Sequence, residues 1–288
     1  MSIAPAAQFA ALEECLHALL RELGAVAVAF SGGVDSTYLL AASVDALGAD
    51  RVLALTADSP LLPRDDLAQA RALAQTLGAR HVVLPFDELT IPEVAANAPR
   101  RCYYCKRERF VALLEYVAVY GPGAALVHGE NVDDARDYRP GAAAAHELGV
   151  RAPLAVAGLT KADIRAPSRR RGLPTWDRPA AACLATRFPY DTHLTRNALA
   201  RVEQAEGLVR AALTRTALGD ARGAVQLRVR DHFPLARIEL PADAWASLLD
   251  DATRPRLVAE LRALGYTYVT LDLDGYRMGS MNAGLTTP

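Results

Sequence analysis

The feature that most constrains this chain is a loop of glycine and hydroxyl residues, Ser31–Thr37 (SGGVDST), that directly follows the apolar run Ala25–Phe30. The apolar run predicts a buried strand, and Tyr38–Leu47 predicts a helix. Glycines let the backbone turn sharply and point its N–H groups at an anion, and the helix adds its partial positive end. The pattern therefore predicts a phosphate-binding loop between a strand and a helix.

Within this loop the serine and threonine hydroxyls are candidate donors to phosphate oxygens, and Asp35 is a candidate Mg²⁺ ligand or a brace for the loop. No lysine follows the second glycine, so the loop is not of the GxxxxGK[ST] type. A plain strand–helix turn is the alternative. The predicted nucleotide ligands here are Ser31, Gly32, Gly33, Asp35, Ser36 and Thr37.

Strand and helix patterns alternate after the loop, which favours an α/β fold with a doubly wound parallel sheet whose ligands bind beyond the carboxyl ends of the strands. The further strands are predicted at Arg51–Thr56, Arg80–Leu84 and Ala124–His128, with helices at Pro63–Leu77 and Tyr103–Tyr120. The later part predicts a smaller α+β unit, with a helix at Thr195–Leu218 and strands at Val225–Arg230, Ala236–Leu240 and Tyr268–Leu273. We expect an ATP domain over residues 1–187 and a substrate-binding or oligomerisation domain over residues 188–288.

Polar residues follow two of these strands, at the edge where a nucleotide would bind. The predicted contacts to the nucleotide or its metal are Ser59, Gly129, Asn131, Asp133 and Asp134. A proline-terminated strand end and a solvated acidic loop are the alternatives for the two segments.

Three of the four cysteines lie in contexts that suggest chemistry. Cys102 and Cys105 form a C-x-x-C at a helix start, and Cys183 follows Cys105 by 78 positions. A redox pair would need a thioredoxin-like context, and structural zinc would need four ligands. Three thiolates fit a [4Fe–4S] cluster with one open iron. Sulfur carriage by Cys183 alone, zinc, or an inert pair remain as alternatives.

Composition limits the partners. Among 288 residues the formal net charge is -1, which argues against bulk binding of nucleic acid or of an anionic membrane. The stretch Met1–Leu12 lacks the pattern of a secretory signal, and no apolar run is long enough to span a bilayer. We therefore expect a cytoplasmic protein without nucleic-acid or membrane partners.

The loop resembles the SGGxDS loop of the PP-loop ATP pyrophosphatases, and over nearly its whole length the chain resembles the LarE family of sulfur transferases. The further strings that carry the second resemblance are Cys102–Lys106, Gly129–Asp134, Asp137–Gly141, Arg178–Tyr190, Arg228–Arg230, Ala236–Glu239, Gly275–Arg277 and Gly279–Asn282.

The resemblance implies ATP- and Mg²⁺-dependent adenylation of pyridinium-3,5-biscarboxylic acid mononucleotide and its conversion to the bisthiocarboxylic form, for the nickel-pincer cofactor of lactate racemase. Some members sacrifice one cysteine, here Cys183. Others hold a [4Fe–4S] cluster with an extra sulfide on three cysteines, and Cys102 and Cys105 favour this branch. The resemblance further implies a sulfide donor and a homo-oligomer, either a trimer or a hexamer.

A substrate with one phosphate and two carboxylates needs basic ligands. The candidates are Arg187, Arg228, Arg230 and Arg237, with surface solvation as the alternative for each. Arg178 and Arg187 flank Cys183 and are expected to lower the pKa of its thiol. Glu203 and Glu206 are candidate bases, although an exposed helix face is the expected setting. Cys183, Cys102, Cys105 and Asp35 are the predicted catalytic residues.

Two classes of rival function remain open. Another PP-loop enzyme, a tRNA thiolase or an amide synthetase such as GMP or NAD synthetase, would share the loop but use a different acceptor. A protein that senses ATP without turnover would need no chemistry at Cys183.

Overall fold

The computed structural model describes residues 5–136, 140–179, 182–215, 225–277 and 279–282. The chain divides into two compact units. The first, the nucleotide unit, comprises Met1–Ile91 and Arg100–Ala181, and the second comprises Pro92–Pro99 and Ala182–Pro288. The functional division at residue 187 stays a prediction.

The helices and strands are numbered in chain order. The α-helices are α1 (Pro5–Leu23), α2 (Val34–Leu47), α3 (Arg64–Thr76), α4 (Pro92–Ala95), α5 (Arg101–Tyr120), α6 (Pro140–Glu147), α7 (Pro153–Val156), α8 (Lys161–Arg170), α9 (Arg196–Thr214), α10 (Trp245–Leu249) and α11 (Thr253–Ala263). The strands are β1 (Val26–Ala29), β2 (Val52–Asp58), β3 (Arg80–Pro85), β4 (Ala125–His128), β5 (Arg228–His232), β6 (Leu235–Glu239) and β7 (Tyr268–Leu271).

The nucleotide unit is built on a four-stranded sheet of order β3-β2-β1-β4, in which every pairing is parallel. The chain runs outward from β1 to β3 and then returns to place β4 on the other side of β1. Strand order reverses between β1 and β4, and a crevice forms beyond the carboxyl ends of strands at such a point. The predicted α/β fold is confirmed.

Both faces of the sheet are buried at its two central strands, β1 and β2, which explains the continuous apolar runs of these strands. Val26 and Val28 pack with residues of α1, α2, α3 and α8 on one face, such as Leu16. Ala27, which points to the opposite face, packs with Phe110 and other residues of α5. The alternation follows from the period of two along a strand. This core fixes the strand ends that carry the candidate site.

The second unit contains a smaller mixed sheet, in which β5 pairs antiparallel with β6 and β6 pairs parallel with β7. The segment Pro92–Pro99 is tied to this unit by hydrogen bonds. Asn97 Nδ2 donates to the Pro189 carbonyl at 2.7 Å, and the Leu194 N–H donates to the Ala95 carbonyl at 2.7 Å.

Several predicted boundaries are wrong by a few residues. Helix α2 begins at Val34, not at Tyr38, so the second half of the predicted loop is the first helical turn. Helix α5 begins at Arg101, which brings Cys102 into the helix. Strand β5 begins at Arg228, three residues later than predicted. Short helices between β4 and residue 171, among them α8, were not predicted.

Three predicted features extend outside the described residues: the end of the Thr195–Leu218 helix, the first three residues of the Asp137–Gly141 string, and residues 180 and 181 of the Arg178–Tyr190 string. Within the described part of the chain, no helix combines the length and the apolar character that crossing a membrane requires.

Candidate nucleotide site and sulfur-transfer residues

A cavity of about 380 Å³ lies in the nucleotide unit at the carboxyl ends of β1, β2 and β4. Its wall includes Phe30 and Ser31 after β1, Thr56 and Ala57 in β2, and Gly129 after β4. The cavity therefore lies where strand order reverses, as the sequence pattern predicts for a ligand site.

The phosphate loop is held by its own hydroxyl groups. Ser31 Oγ and Ser36 Oγ lie 3.1 Å apart, and Ser36 Oγ donates to the Gly33 carbonyl at 3.3 Å. Gly33 is the N-cap residue of α2 and provides no side-chain cap. The first turn of α2 thus presents backbone N–H groups without a capping side chain, which is the arrangement that binds anions.

Two glycines are required by close packing around this loop. Gly32 has φ of +69°, and a Cβ there would lie 3.2 Å from the Cα and Cβ atoms of Ala70 on α3. A Cβ on Gly129 would lie 2.9 Å from the Ser36 backbone nitrogen. Only glycine lets the end of β4 approach the first turn of α2 this closely.

The turn after β4 is braced from within rather than left as a solvated loop. Residues Val132–Arg136 form a 3₁₀ helix. The buried Asn131 caps it, because its Oδ1 accepts from the N–H groups of Asp133 and Asp134 at 3.0 and 3.3 Å. Asp133 Oδ2 accepts from the Lys161 N–H at 2.8 Å, which joins this turn to the start of α8.

Of the predicted nucleotide ligands, six line the cavity and five do not. Those in its wall are Ser31, Gly33, Asp35, Ser36, Gly129 and Asp134. Gly32, Thr37, Ser59, Asn131 and Asp133 are not among its lining residues. Ser59 is buried and its Oγ accepts from the Leu61 N–H at 3.1 Å, which stabilises the turn after β2. Nucleotide binding by these residues stays a prediction.

Sequence reasoning missed three cations in the cavity wall: Lys106, Arg109 and Lys161. The Lys161 Nζ lies 3.9 Å from Asp35 Oδ2. One signal was available for Lys161, since Thr160-Lys161-Ala162-Asp163 has the capping-box pattern, and both capping-box hydrogen bonds are present. Lys106 and Arg109 follow the C-x-x-C motif on α5. They reach the cavity because this helix forms part of its wall.

His128 ends β4 and is buried in the cavity wall. Burial, with a smaller effect from Lys106, lowers its pKa to about 3. The imidazole is therefore neutral at pH 7, and its 3.3 Å contact with Glu130 is a hydrogen-bonding distance rather than an ion pair. A neutral ring adds no positive charge to the wall.

Cys102 and Cys105 lie one turn apart at the start of α5, and neither is in a disulfide. Cys102 is exposed, whereas Cys105 is half-buried. The Cys105 thiol lies 3.5 Å from Arg109 Nη2 and 3.8 Å from an oxygen of the fully buried Glu88, which also pairs with Arg109. Arg109 thus contacts the C-x-x-C motif and the cavity at once.

Cys183 lies in the second unit, where it precedes the 3₁₀ helix Leu184–Arg187 and has a free, half-buried thiol. Arg187 Nη1 donates to the Cys183 carbonyl at 3.0 Å, while its Nε pairs with Glu206 at 2.9 Å. Because Glu206 neutralises this guanidinium, Arg187 supplies less positive field to the thiol than the sequence suggested.

The expectation that Glu206 lies on an exposed helix face is wrong. Glu206 is buried and accepts from Arg187 Nε and Nη2 at 2.9 and 3.1 Å and from the Val229 N–H at 3.1 Å. The signal was present in the sequence, since position 206 falls in the apolar stripe of α9. The buried members of that stripe include Leu199, Val202, Val209 and Leu213.

The predicted substrate arginines lie together in the second unit, around two buried carboxylates. Arg230 pairs with Glu239 at 2.6 Å, and Arg237 pairs with the same carboxylate at 3.1 Å. Burial, and next the nearby charge of Arg187, lower the pKa of Arg228. Their contact with substrate stays a prediction.

No group of three or more His, Cys, Asp or Glu side chains that could hold a metal ion is found among the residues that the structure describes. Metal binding by Cys102, Cys105 and Cys183 therefore stays a prediction.

The parallel sheet, the uncapped phosphate loop and the cavity at the reversal of strand order define a PP-loop ATP pyrophosphatase domain. Comparison with known proteins agrees, since the family model described as NAD synthase matches residues 8–102. An NH(3)-dependent NAD(+) synthetase of Hyperthermus butylicus is 37% identical over 95 residues, which cover 31% of this chain and 34% of that protein. The match to the family model ends at Cys102, the first cysteine of the C-x-x-C motif.

Two relatives match the chain over nearly its full length. An uncharacterized protein of Synechocystis is 40% identical over 273 residues, which cover 95% of this chain and 97% of that protein. The pyridinium-3,5-bisthiocarboxylic acid mononucleotide synthase of Lactiplantibacillus plantarum is 38% identical over 280 residues, 97% of each chain. The chain belongs to the family of this synthase, the LarE family of ATP-dependent sulfur transferases.

Proposed function

We propose that this chain uses ATP to adenylate the carboxylates of pyridinium-3,5-biscarboxylic acid mononucleotide and replaces one oxygen of each with sulfur. Two observations together support the proposal, one from the comparison with known proteins and one from the cavity. The chain is similar over 97% of its length to a synthase of the bisthiocarboxylic product. Its phosphate loop opens into a cavity lined by cations.

In the proposed first step, a carboxylate oxygen of the substrate attacks the α-phosphorus of ATP. A P–O bond to this oxygen forms, the bond from the α-phosphorus to the bridging oxygen breaks, and pyrophosphate leaves. The N–H groups at the start of α2, Ser31 and Ser36 would hold the phosphates. Lys106, Arg109 and Lys161, which line the cavity, would offset the charge of the departing pyrophosphate.

The donor set of the cavity also fits Mg²⁺, because hard divalent cations prefer carboxylate oxygens. Asp35 is the candidate ligand in the cavity wall, and the ATP phosphates would supply further oxygens, because Mg²⁺ is usually held by one or two carboxylates together with substrate phosphates. When bound, Mg²⁺ would neutralise part of the triphosphate charge. Within the chain itself, the Lys161 ammonium lies 3.9 Å from Asp35 Oδ2, so a positive charge already faces this carboxylate.

In the proposed second step, a sulfur nucleophile attacks the carbonyl carbon of the acyl-adenylate. A C–S bond forms, the C–O bond to AMP breaks, and AMP leaves with the oxygen of the carboxylate. Cys183 follows Pro179, a residue of the cavity wall, by four positions along the chain. This closeness in sequence supports the proposal that the Cys183 thiol takes part in the second step.

We extend the proposal to a [4Fe–4S] cluster on Cys102, Cys105 and Cys183. None of the three is in a disulfide, and Cys102 and Cys105 lie one turn apart on α5, so the donors fit iron by their chemistry. A cluster with an extra sulfide would supply the sulfur nucleophile. Arg109 would offset negative charge beside Cys105. Transfer of the Cys183 sulfur itself remains the alternative route.

The remaining finer parts of the proposal follow the resemblance. They are supply of the nickel-pincer cofactor of a lactate racemase, an external sulfide donor, assembly into a trimer or hexamer, and a cytoplasmic location.

Pyrophosphate release in the presence of three acceptors tests the proposal. The purified chain with ATP and Mg²⁺ should release pyrophosphate when the pyridinium dicarboxylate mononucleotide is added. Nicotinic acid adenine dinucleotide with ammonia and unmodified tRNA serve as the rival acceptors. Release with either rival, and none with the pyridinium mononucleotide, would reassign the chain to an amide synthetase or a tRNA thiolase.

A further inference from the structure

Arg178 connects the phosphate loop with the segment that leads to Cys183. Its Nη1 donates to the Gly32 carbonyl at 3.2 Å, and its Nη2 pairs with Asp66 of α3 at 2.5 Å. Both the arginine and the aspartate side chains are mostly buried, with 20% and 16% exposure. A guanidinium can hold two such acceptors at once because its donors are planar and fixed.

The backbone around Arg178 is itself anchored to the nucleotide unit. Arg165 of α8 donates from Nη1 to the Trp176 carbonyl at 2.9 Å and from Nη2 to the Arg178 carbonyl at 2.8 Å. The guanidinium of Arg169 lies 4.8 Å from the centre of the Trp176 ring. The segment Trp176–Pro179 is therefore fixed on one side by α8 and on the other by the phosphate loop.

One partner of Arg178, the Gly32 carbonyl, lies in the phosphate loop, and the other, Asp66, lies on α3. Gly32 has a left-handed φ of +69° and little space towards Ala70, so its carbonyl direction depends on the packing of the loop on α3. A change in the loop on phosphate binding must alter the Arg178–Gly32 hydrogen bond or move Arg178 with it. The next residue, Pro179, lines the cavity.

We propose that Arg178 is a positioning residue that couples phosphate-loop occupancy to the Cys183 segment, so that sulfur is presented when the nucleotide is bound. Arg178 touches neither reacting atom in this role. The inference rests on the proposed sulfur-transfer function. It assigns to Arg178 a role after adenylation and before the attack of sulfur on the acyl-adenylate. Loss of Arg178 should therefore slow sulfur transfer more than adenylation.

Hydrogen exchange of the full-length protein tests the coupling without a variant. The ligand is Mg²⁺ with an ATP analogue that has a methylene bridge between its α- and β-phosphorus atoms. Binding should slow amide exchange in residues 182–187 by about fivefold, as expected when a local opening is suppressed. An unchanged rate in this peptide at saturating analogue would overturn the proposal.

Three variants separate coupling from a purely structural role. In Arg178→Gln, analogue affinity and single-turnover pyrophosphate release should stay within about threefold, while thiocarboxylate formation falls by about tenfold or more, as for a misplaced reacting group. The exchange response of residues 182–187 should be lost. Arg178→Lys and Asp66→Asn should give intermediate effects, and they replace Arg178→Gln if it does not fold.

Arg21→Gln, a change in an exposed pair on α1, is the matched control and should behave like the wild-type chain. Equal losses of pyrophosphate release and thiocarboxylate formation in the Arg178 variants would show that Arg178 only supports the fold. An unaltered exchange response in Arg178→Gln would also contradict the coupling. If the wild-type chain forms no thiocarboxylate at all, the proposed function fails instead, which the two readouts distinguish.

Discussion

In the nucleotide unit, Lys106 and Lys161 line an open cavity, whereas in the second unit Arg187 and Arg230 are buried against Glu206 and Glu239. A cation in a cavity is available to an incoming phosphate, and its loss affects binding. A buried cation with a carboxylate partner already has its charge compensated, and its loss leaves the partner uncompensated. Substitutions in the two units should therefore affect different measurements.

The largest expected effect on stability is in the second unit. Glu206→Gln leaves Arg187 buried without its countercharge and weakens the contact with the Val229 N–H. The free energy of unfolding should fall by about 3–5 kcal/mol, the usual cost of breaking a buried pair. Denaturant unfolding measures it, with Glu14→Gln in an exposed pair as a control that should show no measurable change. A loss no larger than the control's would mean that the pair is not buried.

The next effect concerns the nucleotide unit and should appear in binding. The Cβ of a Gly129→Ala variant would collide with the Ser36 nitrogen at the first turn of α2. Affinity for ATP should fall by about 10- to 100-fold, because a shift of about 1 Å in a positioned group is enough. Calorimetry with the methylene-bridged analogue measures this.

The matched control is Gly207→Ala on α9, where an added Cβ meets no atom within 4 Å. It should leave ATP binding unchanged and raise stability by about 0.5–1 kcal/mol, since alanine favours a helix interior. Equal ATP affinity in the Gly129→Ala protein would contradict the close approach of β4 and α2.

The third effect, of intermediate size, is a pH dependence of the free energy of unfolding. The pKa of His128 is lowered to about 3 in the folded chain, below its ordinary value near 6.5. As pH falls below about 6.5, the unfolded chain binds a proton that the folded chain does not, so stability is lost between these two values. Between pH 6.5 and pH 5 the loss through His128 should be about 2 kcal/mol. His128→Gln should remove this part of the slope, whereas the exposed His193→Gln should not.

The smallest effect concerns the cap that positions Lys161. Thr160→Ala removes the side-chain acceptor of the Asp163 N–H and should cost about 1 kcal/mol of stability. ATP affinity should fall only a few-fold, because the Lys161 N–H keeps its bond to Asp133. Thr76→Ala, at an exposed threonine bonded within its own helix, should change neither quantity appreciably. An ATP affinity equal to that of the wild-type chain would show that the cap does not contribute to nucleotide binding.

The nucleotide unit was the more predictable of the two because its signals are local. An apolar run before Ser31–Thr37 indicates a strand and a phosphate loop wherever the rest of the chain lies. Lys106 was not recognised as part of the cavity wall, because the face of α5 that meets the cavity is set by the fold. Arg178 was not recognised as a brace of the phosphate loop, because its partners are distant in sequence. Arg178 reaches Gly32 and Asp66 across more than 100 residues, and no periodicity encodes that contact.

The second unit was less predictable because its ion pairs contradict a simple rule. A glutamate on a helix is usually exposed, so Glu206 was expected on a solvated face. Its place in the apolar stripe of α9 gave the opposite signal, and the buried Arg187 explains how the carboxylate is tolerated there. The rule failed because the pairing partner, 19 residues away, could be recognised only from the fold.

Isotope transfer tests the central claim most directly. The pyridinium dicarboxylate mononucleotide with ¹⁸O in both carboxylates is incubated with the chain, ATP, Mg²⁺ and a sulfide source, and the AMP is examined by mass spectrometry. Attack of the carboxylate on the α-phosphorus predicts one ¹⁸O in AMP for each thiocarboxylate formed. AMP without ¹⁸O, or ADP as the nucleotide product, would contradict adenylation as the activating step.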